Sequence, residues 1–549
     1  MTSLAFACER LRAPVTMVDS RRTLSGPATL IEALVSAPGR PWLVFEKGRE
    51  QVSLSTSDAV GLGSEWATAL RRAGVRADDR VLVMLPNEPS FIGAFFGALF
   101  LGAIPVPTPW PFATRSIAEV RGQLEPLIEV AAPAAIATTS RYALTSSVKA
   151  VTEPAVSPGI MLVGARRPAD PAFIQFTSGT TSAPRGAVIS QRAAAVSAWL
   201  MGEKLGLTTG DIGVSWLPFF HDMGLVGALF CSLVRNFTLH VFSPSEFLFR
   251  PKRWLEAISS NRATITVGPN FAYELVARRV EPTNDLDLSS LRLALSGSEP
   301  VLRSTIDAFE KRFAPVGLRA GTILPVYGLA ESTLGVCFAT PGAHDLDLER
   351  SGNGQISRTP SVGAPLEGTR VEVRRPDGTE SAEGEEGQIC VRGPTLMSEY
   401  FRDPRATQRA LVDGWLHTGD LGVMRGGRLF VTGREKDLVI KSGRKYHAEE
   451  IEVVVRGLFD AAHGIAAFGV PNAEKGTEDL AVAVELKKRA EDGEDLVRRT
   501  LISALDVRAD FVHFVAPGAL PRTTSGKIRR KACAALLHAR DEGRAREGA

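Results

Sequence analysis

Short apolar runs that each end in turn residues, separated by helical patterns, limit what this chain can fold into more than any other feature. VLVMLP (Val81 to Pro86) and AAIATTS (Ala134 to Ser140) read as buried strands, and SEWATALRRAG (Ser64 to Gly74) reads as a helix. The alternation continues with GVSWLP (Gly213 to Pro218), TLHVFS (Thr238 to Ser243), ATITVGP (Ala263 to Pro269) and LRLALSGSEP (Leu291 to Pro300). Strands alternating with helices build an α/β architecture around a largely parallel sheet. Ligands of such sheets bind at strand ends, so the turns that close these runs are where a site is expected. From about Ser361 the texture changes: TRVEVRRPDG, GEEGQICVRG and GRLFVTG read as short strands joined by Gly and Asp turns. With 549 residues the chain is too long for one hydrophobic core. The expected fold is α/β, mixed with α+β. A large N-terminal domain over 1–433 is built of stacked α/β subdomains plus a β-rich subdomain, and a small α+β domain spans 434–549. The polar C-terminal ARDEGRAREGA is expected to fray.

Composition narrows the partners. A formal net charge of +3 is small for this size and gives no reason to expect nucleic acid. The five cysteines, Cys8, Cys231, Cys337, Cys390 and Cys533, form no CxxC pair, which argues against a zinc site or a disulfide framework and fits a reducing cytoplasm. MTSLAFACERLRAP has no long apolar core after a basic start, so no signal peptide is expected. The most membrane-like run, FIGAFFGALFLGAIPV (Phe91 to Val106), is slightly short for a span and reads as a buried helix leading into a strand. No membrane span is expected; a homodimer is left open.

Around Phe173 the chain reads FIQFTSGTTSAPRG. A strand breaks into Thr177, Ser178, Gly179, Thr180, Thr181 and Ser182, followed by Pro184, Arg185 and Gly186 and a second apolar run. Such a loop can turn several N–H groups and hydroxyls towards one point, and glycine lets an anion come close. A polyphosphate fits it, and so does an ordinary polar turn between strands. Downstream come LPFFHDMGL (Leu217 to Leu225), SGSEP (Ser296 to Pro300), VYGLAEST (Val326 to Thr333), DGWLHTGDLG (Asp413 to Gly422), GREKD (Gly433 to Asp437) and LPRTTSGKIRR (Leu520 to Arg530). In kind and order these seven motifs resemble the adenylate-forming (ANL) superfamily of acyl-CoA synthetases, luciferases and peptide-synthetase adenylation domains. The resemblance covers almost the whole chain. LPFFHDMGL and YGLAESTL look most like its fatty acyl-AMP ligase branch.

The resemblance implies that a small-molecule carboxylic acid attacks the α-phosphate of ATP to give acyl-AMP and pyrophosphate. A thiol, of coenzyme A or of an acyl carrier protein, then expels AMP. ATP/AMP, Mg²⁺ and coenzyme A are the implied cofactors. Thr177, Ser178, Gly179, Thr180, Thr181 and Arg185 would hold the β and γ phosphates. Gly297, Ser298, Glu299, Tyr327 and Gly328 would form the adenine and ribose shelf. Asp420 would accept from both ribose hydroxyls, with Arg434 reinforcing the same sugar or the phosphate. Glu331 would hold Mg²⁺, a hard cation suited to carboxylate oxygen. Lys527 would bridge carboxylate and α-phosphate and stabilise charge in transit. His221, a candidate catalytic residue with Lys527 and Glu331, would lie beside an acyl pocket made by Phe219, Phe220, Met223 and Gly224 and would gate the acyl channel or approach the thiol. The small domain would be mobile, rotating about Lys436 between half-reactions and presenting Lys527 on one face and Gly443, at the pantetheine tunnel, on the other.

The chain departs from the pattern in places. Ser182 and Arg185 stand where the phosphate loop usually has Gly and Lys, and Ala330 replaces a threonine common in acyl-CoA synthetases. Acyl-AMP ligases carry an extra segment after the YGLAE motif that hinders domain rotation, and the interval from Glu331 to Ser361 looks shorter than in those enzymes. KSG (Lys441 to Gly443) and DGWLHTGD are more like the CoA-using enzymes. A carboxylic acid:CoA ligase is therefore the first expectation. Alternatives are an acyl-AMP ligase serving a carrier protein, an enzyme of the thioester step alone, and a non-catalytic nucleotide-binding protein.

Overall fold

The structure, a computed structural model, describes residues 18–19, 22–23, 26–37, 39, 41–48, 50–111, 116–143, 146–154, 166–177, 184–341, 347–352, 355–441, 443–459, 462–472, 477–488, 491–522 and 528–536. A nine-stranded central sheet has six parallel strands in its middle, in the spatial order Ile323–Gly328, Leu293–Ser296, Ile265–Gly268, Ile212–Ser215, Thr238–Val241 and Pro41–Lys47. Antiparallel strands close both edges: Gly335–Phe338 and Ala364–Pro365 on one side, Glu50–Ser55 on the other. A second sheet is all parallel: Ile104–Pro107, Arg80–Val83, Ala135–Ala137 and Ala150–Val151. A third is antiparallel: Glu399–Tyr400, Arg185–Ser190 and Pro171–Thr177. The apolar runs found in the sequence are these strands, because parallel strands covered on both faces have no polar side to show.

The helix expected over Ser64 to Gly74 starts earlier, at Thr56, and runs to Arg72. A capping box begins it. Ser55 Oγ accepts from the Asp58 N–H and the Asp58 carboxylate accepts from the Ser55 N–H, satisfying two otherwise orphaned donors. The membrane-like run is a buried helix, Pro89–Phe100, followed by the strand Ile104–Pro107. Every residue from Phe91 to Phe100 is buried, so the helix is apolar all round. Phe95 packs against Phe91, Phe96, Phe173 and Phe230 at ring-centroid distances of 5.5 to 6.2 Å. It ties this helix to the strand Pro171–Thr177 and to the π-helix Met223–Phe230. Among the described residues no helix is long and apolar enough to cross a membrane.

Past Ser361 the strands Arg370–Arg374, Glu386–Arg392, Leu411–Val412, Trp415–Arg425 and Arg428–Arg434 form one antiparallel sheet. A separate apolar core begins at Val439, where helices Ala448–Arg456 and Gly493–Leu505 cover a sheet of Gly464–Asn472, Thr477–Glu485 and Phe511–Val515. The architecture is thus mixed α/β, with a large N-terminal and a small C-terminal α+β part. One element went unanticipated. Between Gly335–Phe338 and Ala364–Pro365, strand Asp347–Gly352 pairs antiparallel with Gln355–Pro360.

Phe95→Ala leaves a cavity where three elements meet, and a loss of about 3–5 kcal/mol is expected. Urea unfolding of the full chain checks it: the midpoint falls, and Phe95→Leu recovers most of the loss.

Candidate active site

The ends of strands Leu293–Ser296 and Ile323–Gly328 open on a cleft of about 2000 Å³ whose far wall is the C-terminal part. Ser298, Glu299, Tyr327, Gly328, Asp420 and Arg434 line it, so six predicted nucleotide-binding residues from distant stretches of chain meet there. Gly297 immediately precedes them and lies against Val326 of the adjacent strand end. Ser298 has φ +71°, a left-handed conformation that L-residues rarely adopt and that concentrates at ligand sites. The Glu299 carboxylate accepts from the Phe271 N–H at 2.6 Å, neutralising the start of helix Asn270–Arg279.

Asp420 is the hub of the cleft and only 7% exposed. Ladder register sets it opposite Arg434. Arg434 Nε lies 2.9 Å from Oδ1, and Tyr327 Oη donates to Oδ2 at 2.7 Å. Asp420 in turn holds the Arg434 guanidinium firmly charged. Burial, and then Asp420, push the Tyr327 phenol well above its ordinary value, so it stays a donor. Each carboxylate oxygen keeps a second lone pair for a further donor.

Glu331 lies in the single turn Ala330–Ser332. Thr333 follows with φ +61° and ψ −49°, and Leu334 N–H donates to the Ser332 carbonyl at 2.6 Å, a strained γ-turn. Neighbours over-determine the strain: Thr333 Oγ1 donates to the Thr395 carbonyl at 2.6 Å, and Met397 N–H to the Glu331 carbonyl at 2.8 Å. Tyr400 Oη donates to Glu331 Oε1 at 2.7 Å. Burial raises the Glu331 pKa, the Tyr400 hydrogen bond opposes this, and Asp420 and Asp222 add to the rise. Arg185 lies opposite Thr177 in the ladder. Its guanidinium sits 5.7 Å from the Tyr400 ring and 4.0 Å from Asp403 Oδ2. Tyr400 and Asp403 were missed in the sequence. SEYFRDP carries no signal of its own, and only the pairing of Glu399–Tyr400 with Arg185–Ser190 brings it here.

His221 Nδ1 lies 2.7 Å from Asp222 Oδ1, and the Met223 N–H points at the same ring nitrogen at 3.3 Å. Asp222 also accepts from the Met223 N–H at 2.7 Å, capping the π-helix Met223–Phe230. Phe219, Phe220 and Met223 are buried, and the Phe219 ring packs 5.2 Å from that of Phe91. A Cβ at Gly224 would lie 2.3 Å from the Pro218 carbonyl oxygen, so the glycine is what lets the helix close on the preceding segment.

Other predicted residues fall elsewhere. Thr177 ends its strand and donates from Oγ1 to the Arg185 carbonyl at 3.4 Å. Ser178, Gly179, Thr180, Thr181, Ser182 and Lys527 lie outside the described residues. Lys436 and Gly443 do not line the cleft. Lys436 is exposed in the turn Glu435–Asp437; partial loss of hydration and the nearby Arg434 press its ammonium down, while Asp437 and Asp420 oppose them. Arg530, three residues beyond Lys527, is bound by Asp437 at 2.7 Å, Glu449 at 2.9 Å and Glu452 at 2.8 Å, fastening this stretch to that turn and to helix Ala448–Arg456.

Comparison with known proteins names this geometry. The AMP-binding enzyme family matches residues 32–401. The chain belongs to that family. A long-chain-fatty-acid–AMP ligase, FadD26 of Mycobacterium marinum, is 34% identical over 535 residues, covering 85% of this chain and 90% of the relative. JamA of Moorena producens, a medium-chain-fatty-acid–[acyl-carrier-protein] ligase, is 31% identical over 539 residues, covering 89% and 90%. A structure from a study of fatty acyl-adenylate ligases of E. coli and L. pneumophila superposes with a TM-score of 0.85 at 29% identity, covering 94% of this chain and 98% of that one. Within the AMP-binding enzymes the chain falls in the fatty acyl-AMP ligase branch of the ANL superfamily, and it is an adenylate-forming ligase.

Because the raised Glu331 pKa belongs to the folded chain, protonation of this group favours folding, and that contribution is lost as pH rises through the raised value. Activity that needs the carboxylate has the opposite slope and fails on the acid side. Tyr400→Phe removes the donor that lowers this pKa, so the acid limb of pyrophosphate release against pH is expected to move to higher pH. A limb that stays in place would refute the donor's effect.

Proposed function

We infer that this ligase converts a carboxylic acid of the fatty type to acyl-AMP and passes the acyl group to the thiol of an acyl carrier protein. The observation that carries the choice of acceptor is the hairpin of Asp347–Gly352 and Gln355–Pro360. It occupies the interval after Glu331 where acyl-AMP ligases carry a segment that hinders domain rotation. Arg303 on helix Arg303–Phe313 fastens it: Nε lies 3.1 Å from both Asp347 oxygens and Nη2 2.5 Å from Oδ1. Such a two-toothed, largely enclosed pair fixes orientation as well as distance. Short as the interval is, it suffices for an anchored hairpin.

In this reading the residues divide the work. Asp420, supported by Tyr327 and Arg434, receives the ribose hydroxyls, and Gly297, Ser298, Glu299 and Gly328 bound the adenosine. The loop from Thr177 to Gly186 takes the β and γ phosphates, with Arg185 already steered by Asp403 and Tyr400. Glu331, enclosed and pressed by Asp222 and Asp420, suits a Mg²⁺ held by one carboxylate together with phosphate oxygens. Among the described residues no group of three or more ready-made ligands exists, which suits a cation arriving with the triphosphate. When bound, it neutralises phosphate charge. Lys527 stabilises the charge moving from carboxylate to α-phosphate, Lys436 is the hinge between a 1–433 and a 434–549 domain, and the acyl chain lies along Phe219, Phe220, His221, Met223 and Gly224. The chemistry is housed in the cytoplasm.

Free coenzyme A is the second reading, favoured by KSG and DGWLHTGD. Gly443, however, has a sufficient structural reason. It sits in the two-residue turn between Leu438–Lys441 and Arg444–His447 with φ +77°, which only glycine adopts without strain.

Incubation with ATP, Mg²⁺ and a panel of carboxylic acids, read by mass for acyl-AMP, tests the first step; Lys527→Ala is expected to slow it about 10²–10³-fold. Adding holo acyl carrier protein or coenzyme A tests the second. Carrier acylation is expected to dominate in the unaltered chain, and Arg303→Ala, which frees the hairpin, is expected to raise the share going to coenzyme A. Efficient CoA acylation by the unaltered chain would falsify the choice of acceptor.

A further inference from the structure

The segment Leu217 to His221 leaves the central sheet after strand Ile212–Ser215 and carries Phe219, Phe220 and His221. It is neither strand nor helix, so no ladder serves its backbone groups, and each needs its own partner. Two side-chain amides supply three of those bonds. Asn87 Nδ2 donates to the Leu217 carbonyl at 2.8 Å, and Asn87 Oδ1 accepts from the Phe219 N–H at 3.0 Å. Gln175 Nε2 donates to the Phe220 carbonyl at 2.9 Å.

The origin of the amides matters. Asn87 stands between strand Arg80–Val83 of the second sheet and helix Pro89–Phe100. Gln175 is on strand Pro171–Thr177 of the third sheet, two residues before the phosphate-type loop begins. The segment they grip is rooted in the central sheet. Three sheets therefore meet on four consecutive residues, and the joints are amide hydrogen bonds rather than packing alone. An amide suits this because one planar group carries both donor and acceptor; a carboxylate would face the Leu217 carbonyl with a second acceptor.

Gln175 is 4% exposed, and its Oε1 is buried with no hydrogen-bond partner among the described residues. A buried unpaired acceptor costs stability that an apolar side chain of the same shape would not. Packing alone does not account for an amide here; the donor bond to Phe220, much shorter than the 3.5 Å contact to the Phe176 carbonyl, does.

We propose that Asn87 and Gln175 are positioning residues for the acyl half of the reaction, the three-bond clamp fixing His221 and the two phenyl groups relative to the strand that feeds the phosphate loop. The proposal rests on the reading that Phe219 to Gly224 line the acyl pocket. Neither amide touches the reacting atoms; both act through the backbone they hold. Asp222, which follows the segment, acts on Glu331 through its charge.

Gln175→Met keeps volume and removes the donor; Asn87→Asp keeps shape and removes one donor. Both are assayed in the full chain with ATP, Mg²⁺ and straight-chain fatty acids from octanoic to hexadecanoic, by pyrophosphate release and by mass for acyl-AMP. A loss on the order of 10–10²-fold in kcat/KM for the acid is expected, the size of effect that a small misplacement causes. The KM for ATP is expected to hold, the preference among chain lengths to flatten, and the thermal midpoint of Gln175→Met to stay level or rise. Equal losses in the acid and ATP terms, or an unchanged chain-length profile in both variants, overturn the clamp while leaving the ligase reading intact. Failure of the unaltered chain to release pyrophosphate with any of these acids overturns the fatty-acid reading and the clamp with it.

Discussion

The cost of ionising Glu331 away from water, with Asp222 and Asp420 near enough for their charges to be felt, is the constraint the surrounding structure answers. Glu331 carries its mark, raised by burial and further by the other two. Each acid has its own counterweight. Asp420 has Tyr327 and the Arg434 guanidinium, Glu331 has Tyr400, and Asp222 has a helix N–H and His221. Arg434 brings a full positive charge to Asp420, and the Lys436 ammonium also interacts with Asp420 and Glu331. Removing a counterweight here is costlier than removing a surface pair, because low hydration magnifies what is left uncompensated.

Topology makes the gathering possible. Parallel strands all end on the same edge of a sheet, so Ser296 to Glu299 and Tyr327 to Glu331 emerge side by side although about thirty residues separate them in sequence. The antiparallel sheet beyond Ser361 delivers Asp420 and Arg434 from opposite strands by register. The third sheet delivers Tyr400 to Glu331 and Arg185 to Asp403. Strain follows from crowding so many functions into one seam: the left-handed Ser298 and the γ-turn at Thr333 persist because neighbouring hydrogen bonds hold them.

Much of this was legible beforehand. Fully apolar runs became parallel strands, the Phe91 to Val106 run became helix and strand, and the motif order named the family. Element ends were less legible: Val81 to Pro86 yields a strand that stops at Val83, because pairing partners rather than composition decide where a ladder ends. The Asp347 to Pro360 hairpin escaped notice because its sequence has little apolar alternation to advertise a strand.

Sequence alone determined which stretches are buried and in what order the motifs stand, since periodicity and turn chemistry act over a few neighbouring residues. It also determined, through those motifs, that the chain is an adenylate-forming ligase. Only the tertiary structure decided that Tyr400 holds Glu331, that Asp420 is shared by Tyr327 and Arg434, and that Asn87 and Gln175 grip the segment before His221. The bonds made by Tyr400, Tyr327 and Asn87 join residues 69, 93 and 130 positions apart. A hydrogen bond needs its partners placed to within a few tenths of an ångström. Over such separations that placement comes from strand register and core packing, which no local pattern in the chain encodes.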